Sequence, residues 1–249
     1  MKRSRCALFL SALFIVLANP VFAIVRHVPG EYATIQAAID ASVTGDIVEI
    51  ACGTYEVIEV VLKSGVALRS STGLPDCVTV TQGVEGGRML GCVANVPTTI
   101  EGITFFKGHN SGGGAIRLSG SVIVTRCKFI SNNGAFFTEA TLEATSEQSL
   151  GFCTNSGAAI IFDDSNALVT DCDFDWNGSS AGGIKACGDN VFANCRFNYN
   201  YGSEGDWGAI YTRGGTFTDC DFRNNHGYFG GGAAQCYQAT FVRCLLKPS

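Results

Sequence analysis

A block of nine residues recurs along the second half of this chain, and it constrains the fold more than any other feature. It reads Val124-Thr-Arg-Cys-Lys-Phe-Ile-Ser-Asn132, then Val169-Thr-Asp-Cys-Asp-Phe-Asp-Trp-Asn177 and Phe192-Ala-Asn-Cys-Arg-Phe-Asn-Tyr-Asn200. Phe217-Thr-Asp-Cys-Asp-Phe-Arg-Asn-Asn225 follows, and a fifth block starts at Phe241. The cysteines fall at 127, 172, 195, 220 and 244, in steps of 45, 23, 25 and 24 residues. A glycine-rich start precedes each block, and the apolar ends of these starts (Ile116, Ile160, Ile184, Ile210, Ala234) step by 44, 24, 26 and 24. The two series keep one phase, so the repeat is a structural unit of about 24 residues. A unit so short cannot bury its own apolar face. It can do so by stacking on copies of itself.

Within the unit the apolar positions alternate, as in Ile116 and Leu118 or Cys127 and Phe129, which is the periodicity of strands. Parallel strands about 4.8 Å apart place like residues above like. Phe129, Phe174, Phe197, Phe222 and Leu246 then form one inward stack and the five cysteines a second. Asn132, Asn177, Asn200 and Asn225 form an amide ladder at a turn. The expected fold is an all-β, right-handed parallel β-helix with coils of about 24 residues. The one long step fits an insertion of about 20 residues around 134–155, looped out of the stack.

The first residues read differently. Lys2, Arg3 and Arg5 precede an apolar run over 6–18, and Val21 and Ala23 occupy the −3 and −1 positions of a signal-peptidase site. Residues 1–23 are thus expected to be a cleaved signal peptide and 24–249 a single β-helix domain. Cleavage leaves 14 basic against 22 acidic residues and removes Cys6, so 11 of the 12 cysteines remain. Export permits disulfides. An odd number leaves a thiol free or paired between chains, and a bridge among Cys52, Cys77 and Cys92 is open. The acidic balance without a basic block excludes nucleic acid as the natural partner. No transmembrane segment follows the leader.

After the leader, Thr34 is placed to cap a helix with Ile35, Ala38, Ile39 and Val43 on one apolar face. Such a helix covers the open end of a solenoid. Residues 47–51 read as the first strand, and 57–62, 66–70, 77–81 and 99–105 as strands of less regular early coils. Tyr32-Ala-Thr-Ile-Gln-Ala-Ala-Ile-Asp40, Gly45-Asp-Ile-Val-Glu-Ile50 and Gly53-Thr-Tyr55 together resemble the opening of secreted bacterial β-helix proteins of the pectin-lyase-like superfamily. The Gly-Gly-Ala-Ile and Phe-x-x-Asn repeats are similar to those of the polymorphic outer-membrane proteins. The resemblance covers most of the mature chain and implies the fold; the superfamily holds lyases, hydrolases and adhesins alike.

Lyases of that superfamily hold Ca²⁺ with outward carboxylates and use Arg or Lys as base, and its polygalacturonase-type hydrolases use several Asp. By that resemblance the catalytic candidates are Asp173, Asp221 and Arg196, and the Ca²⁺ candidates are Asp171 and Asp173. Ca²⁺ takes roughly 6–8 oxygens, more than one carboxylate pair supplies. The hydrolase signatures Asn-Thr-Asp, Gly-His-Gly and Arg-Ile-Lys are missing from the sequence. Lys128, Asp173, Arg196 and Asp221, each following a column cysteine, also read as an outward ladder of alternating charge.

A second constellation is aromatic. Trp176, Tyr199, Tyr201, Trp207 and Tyr211 fall in or near the turns after the Phe-x-x-Asn strands, with Trp176 and Tyr199 at equivalent positions. Planar rings on a shallow face suit sugar stacking or a protein contact, and they also suit packing over their own loops. The expectation is an exported binding module, secreted or at the cell surface, whose partner is a polysaccharide or cell-surface ligand. A lyase or hydrolase acting on acidic polysaccharide is the alternative, and a structural spacer the second. No cofactor is expected, Ca²⁺ entering only for a lyase. Ser249 stands where the next ladder asparagine belongs, so further C-terminal coils or end-to-end self-association are expected.

Overall fold

The computed structural model describes residues 22–83, 88–110, 115–133, 160–163, 166–179, 183–202, 208–227 and 232–247. They form a parallel β-solenoid of about seven turns with one short helix. An eight-stranded sheet runs along one side, from Gly53–Val57 through Val78–Gln82, Ile103–Phe106, Lys128–Ile130, Asp173–Asp175, Arg196–Asn198 and Asp221–Arg223 to Leu245–Leu246. A 14-stranded sheet makes the rest of the wall in two arms. The arm before each cysteine runs from Val25–Val28 to Thr240–Val242, and the arm after each glycine start from Val60–Leu62 to Ala234–Cys236. Leu90–Glu101 and Ile116–Thr125 pass through both arms. A small corner sheet joins Gly178–Ser179, Tyr201–Gly202 and His226–Gly227. The expected insertion over 134–155 lies outside the described residues.

Every ladder is parallel and in the register the repeat demands: Phe129 opposes Phe174, Phe174 opposes Phe197, and Phe197 opposes Phe222. Their rings stack at 4.9, 4.9 and 4.4 Å between centroids, and Phe105 extends the column by one coil at 5.3 Å. Each is buried, which contributes roughly 1.5–3 kcal/mol per side chain. Leu246 keeps the register but is half exposed. A second column, Phe192, Phe217 and Phe241, packs edge-on against the first and was not foreseen from the sequence.

The asparagine ladder is buried and fully bonded. Asn177 donates its amide to the Phe129 carbonyl (2.9 Å) and to Asn200 Oδ1 (3.0 Å), and its backbone N–H also donates to Asn200 Oδ1 (3.0 Å). Asn132 and Asn200 repeat the pattern on neighbouring coils. The five column cysteines are free thiols, and each donates to a carbonyl of a neighbouring coil, as Cys195 does to Val169 at 3.5 Å. Burial holds the Cys172 thiol well above its ordinary pKa. A hydrogen bond donated to Cys195, then burial, raises that of Cys220.

The corners of the repeated coils are single residues in the left-handed region. One set precedes the cysteines: Arg126, Asp171, Asn194, Asp219 and Arg243, with φ from 50° to 55°. The other precedes the asparagines: Ser131, Trp176, Tyr199 and Asn224, with φ from 53° to 59°, and Lys107 (57°) holds the same corner ahead of Gly108. At the third corner, a Cβ on Gly208 would lie 2.0 Å from the Gly232 carbonyl oxygen, so only glycine fits.

At the N-terminus Thr34 caps the helix Ile35–Ala41 by accepting the Ala37 N–H (3.1 Å). Ile35, Ala38 and Ile39 enter the core. Val43, expected on that face, is exposed instead, because the Ser42 hydroxyl bonds back to the Ala38 carbonyl and the helix ends before it. Gln36 accepts the Val61 N–H (2.8 Å) and so occupies a backbone donor of Val60–Leu62. The first strand is Val25–Val28, not 47–51, and it pairs with Ile47–Ile50. Cys52 and Cys77 form a disulfide, while Cys92 stays free and buried, its thiol pushed up to about 11 by burial. Cys187 is also disulfide-bonded.

Candidate functional site

The eight-stranded sheet turns alternate side chains outward, so the residues after the column cysteines line up on its surface. Lys128, Asp173, Arg196 and Asp221 stand in one register, as the sequence predicts. Arg196 donates to both oxygens of Asp173, at 2.6 and 2.5 Å. Lys128 reaches Asp76 at 2.6 Å, and Asp221 is held by Arg223 on its own strand. The three residues named for catalysis are therefore all engaged in ion pairs. The Asp173 carboxylate raises the Arg196 pKa.

Of the Ca²⁺ candidates, Asp171 sits on a left-handed corner and accepts the Asn194 amide at 2.6 Å, while Asp173 faces Arg196. Among the described residues no group of three or more His, Cys, Asp or Glu is placed to hold a metal ion. One carboxylate differs from the rest. Asp175, just before Trp176, accepts from Asn198 at 3.1 Å, and burial raises its pKa.

The aromatic candidates divide. Trp176 and Tyr199 stack face to face at 4.5 Å with 4° between their planes. Both are solvent-facing, at 57% and 44% exposure, and both occupy the left-handed corner. That corner costs an L-residue roughly 1–2 kcal/mol, and asparagine or glycine takes it most easily. At the equivalent corner of the next coil stands Asn224, and at that of the coil before stands Ser131. One face of Trp176 thus meets Tyr199.

Tyr201 lies beside the pair on the corner sheet, and its ring covers Gly178, where a Cβ would come within 2.1 Å of the ring. It is partly exposed and serves as packing over its own corner. Tyr211 does not join the group. It lies on the post-glycine arm between Lys185 and Gln235, buried at 8% exposure and edge-on to Tyr237. Tyr201 belongs to the corner sheet and Tyr211 to the 14-stranded sheet, so the two stand on different walls. Trp207 lies outside the described residues. Two surface hollows, of about 440 and 580 Å³, flank the early coils around Thr54–Val60 and Arg88–Val93 and contain none of these groups. The stacked pair forms a solvent-facing platform.

No family model matches the chain, and no curated protein matches it. It is similar to a crystal structure described as a "putative glycosyl hydrolase" from Parabacteroides merdae. The two share 13% identity over 80% of this chain and 82% of that one, with a TM-score of 0.39. A likeness this loose carries no argument about activity.

Proposed function

We propose that this chain is an exported β-helix binding module, of the pectin-lyase-like kind, that takes a polysaccharide or cell-surface glycan against Trp176 and Tyr199. The observation that carries the reading is the position of the two rings. Left-handed backbone is common to the corners of this fold, but a bulky aromatic side chain there is rare. Here the corner holds two parallel rings in solvent, where a core would gain more from burying them. A pyranose with equatorial hydroxyls presents a flat face of C–H groups to such a surface. The paired charges beside it, Asp173 with Arg196 and Asp221 with Arg223, supply polar partners for hydroxyls.

The test is titration calorimetry against soluble glycans spanning β-glucans, xylans and polygalacturonate. Trp176→Ala or Tyr199→Ala is expected to weaken binding about tenfold or more, which is about 1.4 kcal/mol, with the melting temperature nearly unchanged. Binding untouched by both variants would place the ligand elsewhere, and no binding to any of these glycans would leave the chain a spacer. The catalytic alternative has Asp175 in its favour, a carboxyl of raised pKa beside the rings. Release of unsaturated uronate or reducing ends, with or without Ca²⁺, that Asp173→Ala or Asp221→Ala abolishes would overturn the binding reading.

A further inference from the structure

Among the described residues, the first that the fold holds is Ile24. Its carbonyl accepts the Ile47 N–H at 2.9 Å, the opening bond of the first ladder, while Phe22 and Ala23 stand in solvent. Its backbone nitrogen donates to Asp46 Oδ1 at 3.0 Å. Asp46 is 1% exposed, and its other oxygen accepts the Val43 N–H (2.9 Å) and an Arg26 Nη1 donor (2.5 Å). A buried carboxylate is unfavourable unless charges and hydrogen bonds compensate it. Here one oxygen has a cation and the other has only a neutral amide. Two independent features meet at this point: the peptidase pattern of Val21 and Ala23 ends where the fold begins, and the nitrogen that cleavage would free already faces a buried anion.

We propose that the Ala23–Ile24 bond is the processing site and that Asp46 is the receptor for the new N-terminus. Hydrolysis adds water across the bond: hydroxyl goes to the Ala23 carbonyl carbon and hydrogen to the Ile24 nitrogen. That amine takes one more proton from solvent and becomes an ammonium 3.0 Å from Asp46 Oδ1. Each carboxylate oxygen then has its own cation, Ile24 on one side and Arg26 on the other. Removing the leader therefore locks the first strand onto the second. His27, the next titratable group on the strand, faces Glu49 instead. The proposal shares only the premise of export with the glycan reading.

A free α-amino group titrates near 7.7–8.0, and pairing with Asp46 raises this in the folded chain. The sign follows: the stabilisation is complete below the unfolded value and is lost as pH rises through the raised folded one. The experiment has two arms. Exported full-length protein is weighed intact, and a chain starting at Ile24 is melted beside one carrying Gly-Ala ahead of it. The expected results are a mass that begins at Ile24, and a melting temperature a few degrees higher for the Ile24 chain at pH 6. That gap should close above pH 10 and vanish in Asp46→Asn. Should Asp46→Asn fail to fold, the pKa of the Ile24 amine, read by its acylation rate in the folded chain, replaces that arm. A different N-terminal residue, equal melting at pH 6, or an amine with an ordinary pKa would overturn the proposal.

Discussion

The early coils and the repeated coils solve the same problem, keeping one strand over the next, by different means. From Val25 to Ile103 the interior is mainly aliphatic, with Val48, Ile50, Leu68, Val80 and Ile103 buried, and the coils are tied by varied devices. These are the Cys52–Cys77 bridge, the Gln36 amide on Val61, and an outward ion ladder of His27, Glu49 and Arg69. From Lys128 onward the same few residues do the work at every turn: phenylalanine, asparagine and thiol. Repetition makes register self-specifying, because a slipped coil would misplace a ring, an amide and a thiol together. Where the residues do not repeat, each coil needs its own fastening.

The contrast can be broken by mutation. The largest effect is expected at Phe197, whose ring lies between Phe174 and Phe222: Phe197→Ala should cost about 3–5 kcal/mol by urea unfolding. Ile103→Ala in the early coils should cost less, toward the lower end of about 2–5 kcal/mol; the reverse order would remove the distinction. Next comes sulfur. Replacing Cys52 and Cys77 by alanine opens a bridge across 25 residues and should cost about 3 kcal/mol. The column thiols carry no bridge to lose. In the native protein a thiol reagent should label the exposed Cys236 and spare Cys127, Cys172, Cys195 and Cys220 until denaturant is added.

The smallest effect belongs to Asp175. Its raised pKa means that the folded chain binds this proton more readily than the unfolded chain, for which the ordinary value is 3.8. The wild type therefore loses stability as pH rises through the interval between the two values. Asp175→Asn should melt slightly higher than wild type at pH 7, and the difference should disappear at pH 3. A difference that persists at pH 3 would assign the effect to packing instead.

The residues that repeat were the ones the sequence made legible. Phe129 to Phe222, the asparagines and the cysteines announce their neighbours by spacing, because parallel stacking converts a period in sequence into a contact in space. Early strands were harder. Val25–Val28 follows closely in sequence on the apolar run over 6–18 and is too short to show a pattern, and Leu90–Glu101 contains Gly91 and Pro97, which read as breaks. The left-handed corners were invisible for a different reason. Arg126, Asp171, Asn194 and Trp176 share a backbone angle and no side-chain chemistry; the Asx members were the only hint. Within the candidate site, the Trp176–Tyr199 stack followed from their equivalent positions. Tyr211 was misplaced because nearness in sequence does not survive a corner.

The binding platform at Trp176 and Tyr199 is the central claim, and the chain offers a direct probe of it, since it contains only two tryptophans. With Trp207 replaced by phenylalanine, the emission of Trp176 reports its own surroundings. Titrating this variant with the glycan that calorimetry selects should give a saturable blue shift, at the calorimetric affinity, that is lost in Tyr199→Ala. Full calorimetric binding with Trp176 emission unmoved would place the ligand elsewhere and contradict the account.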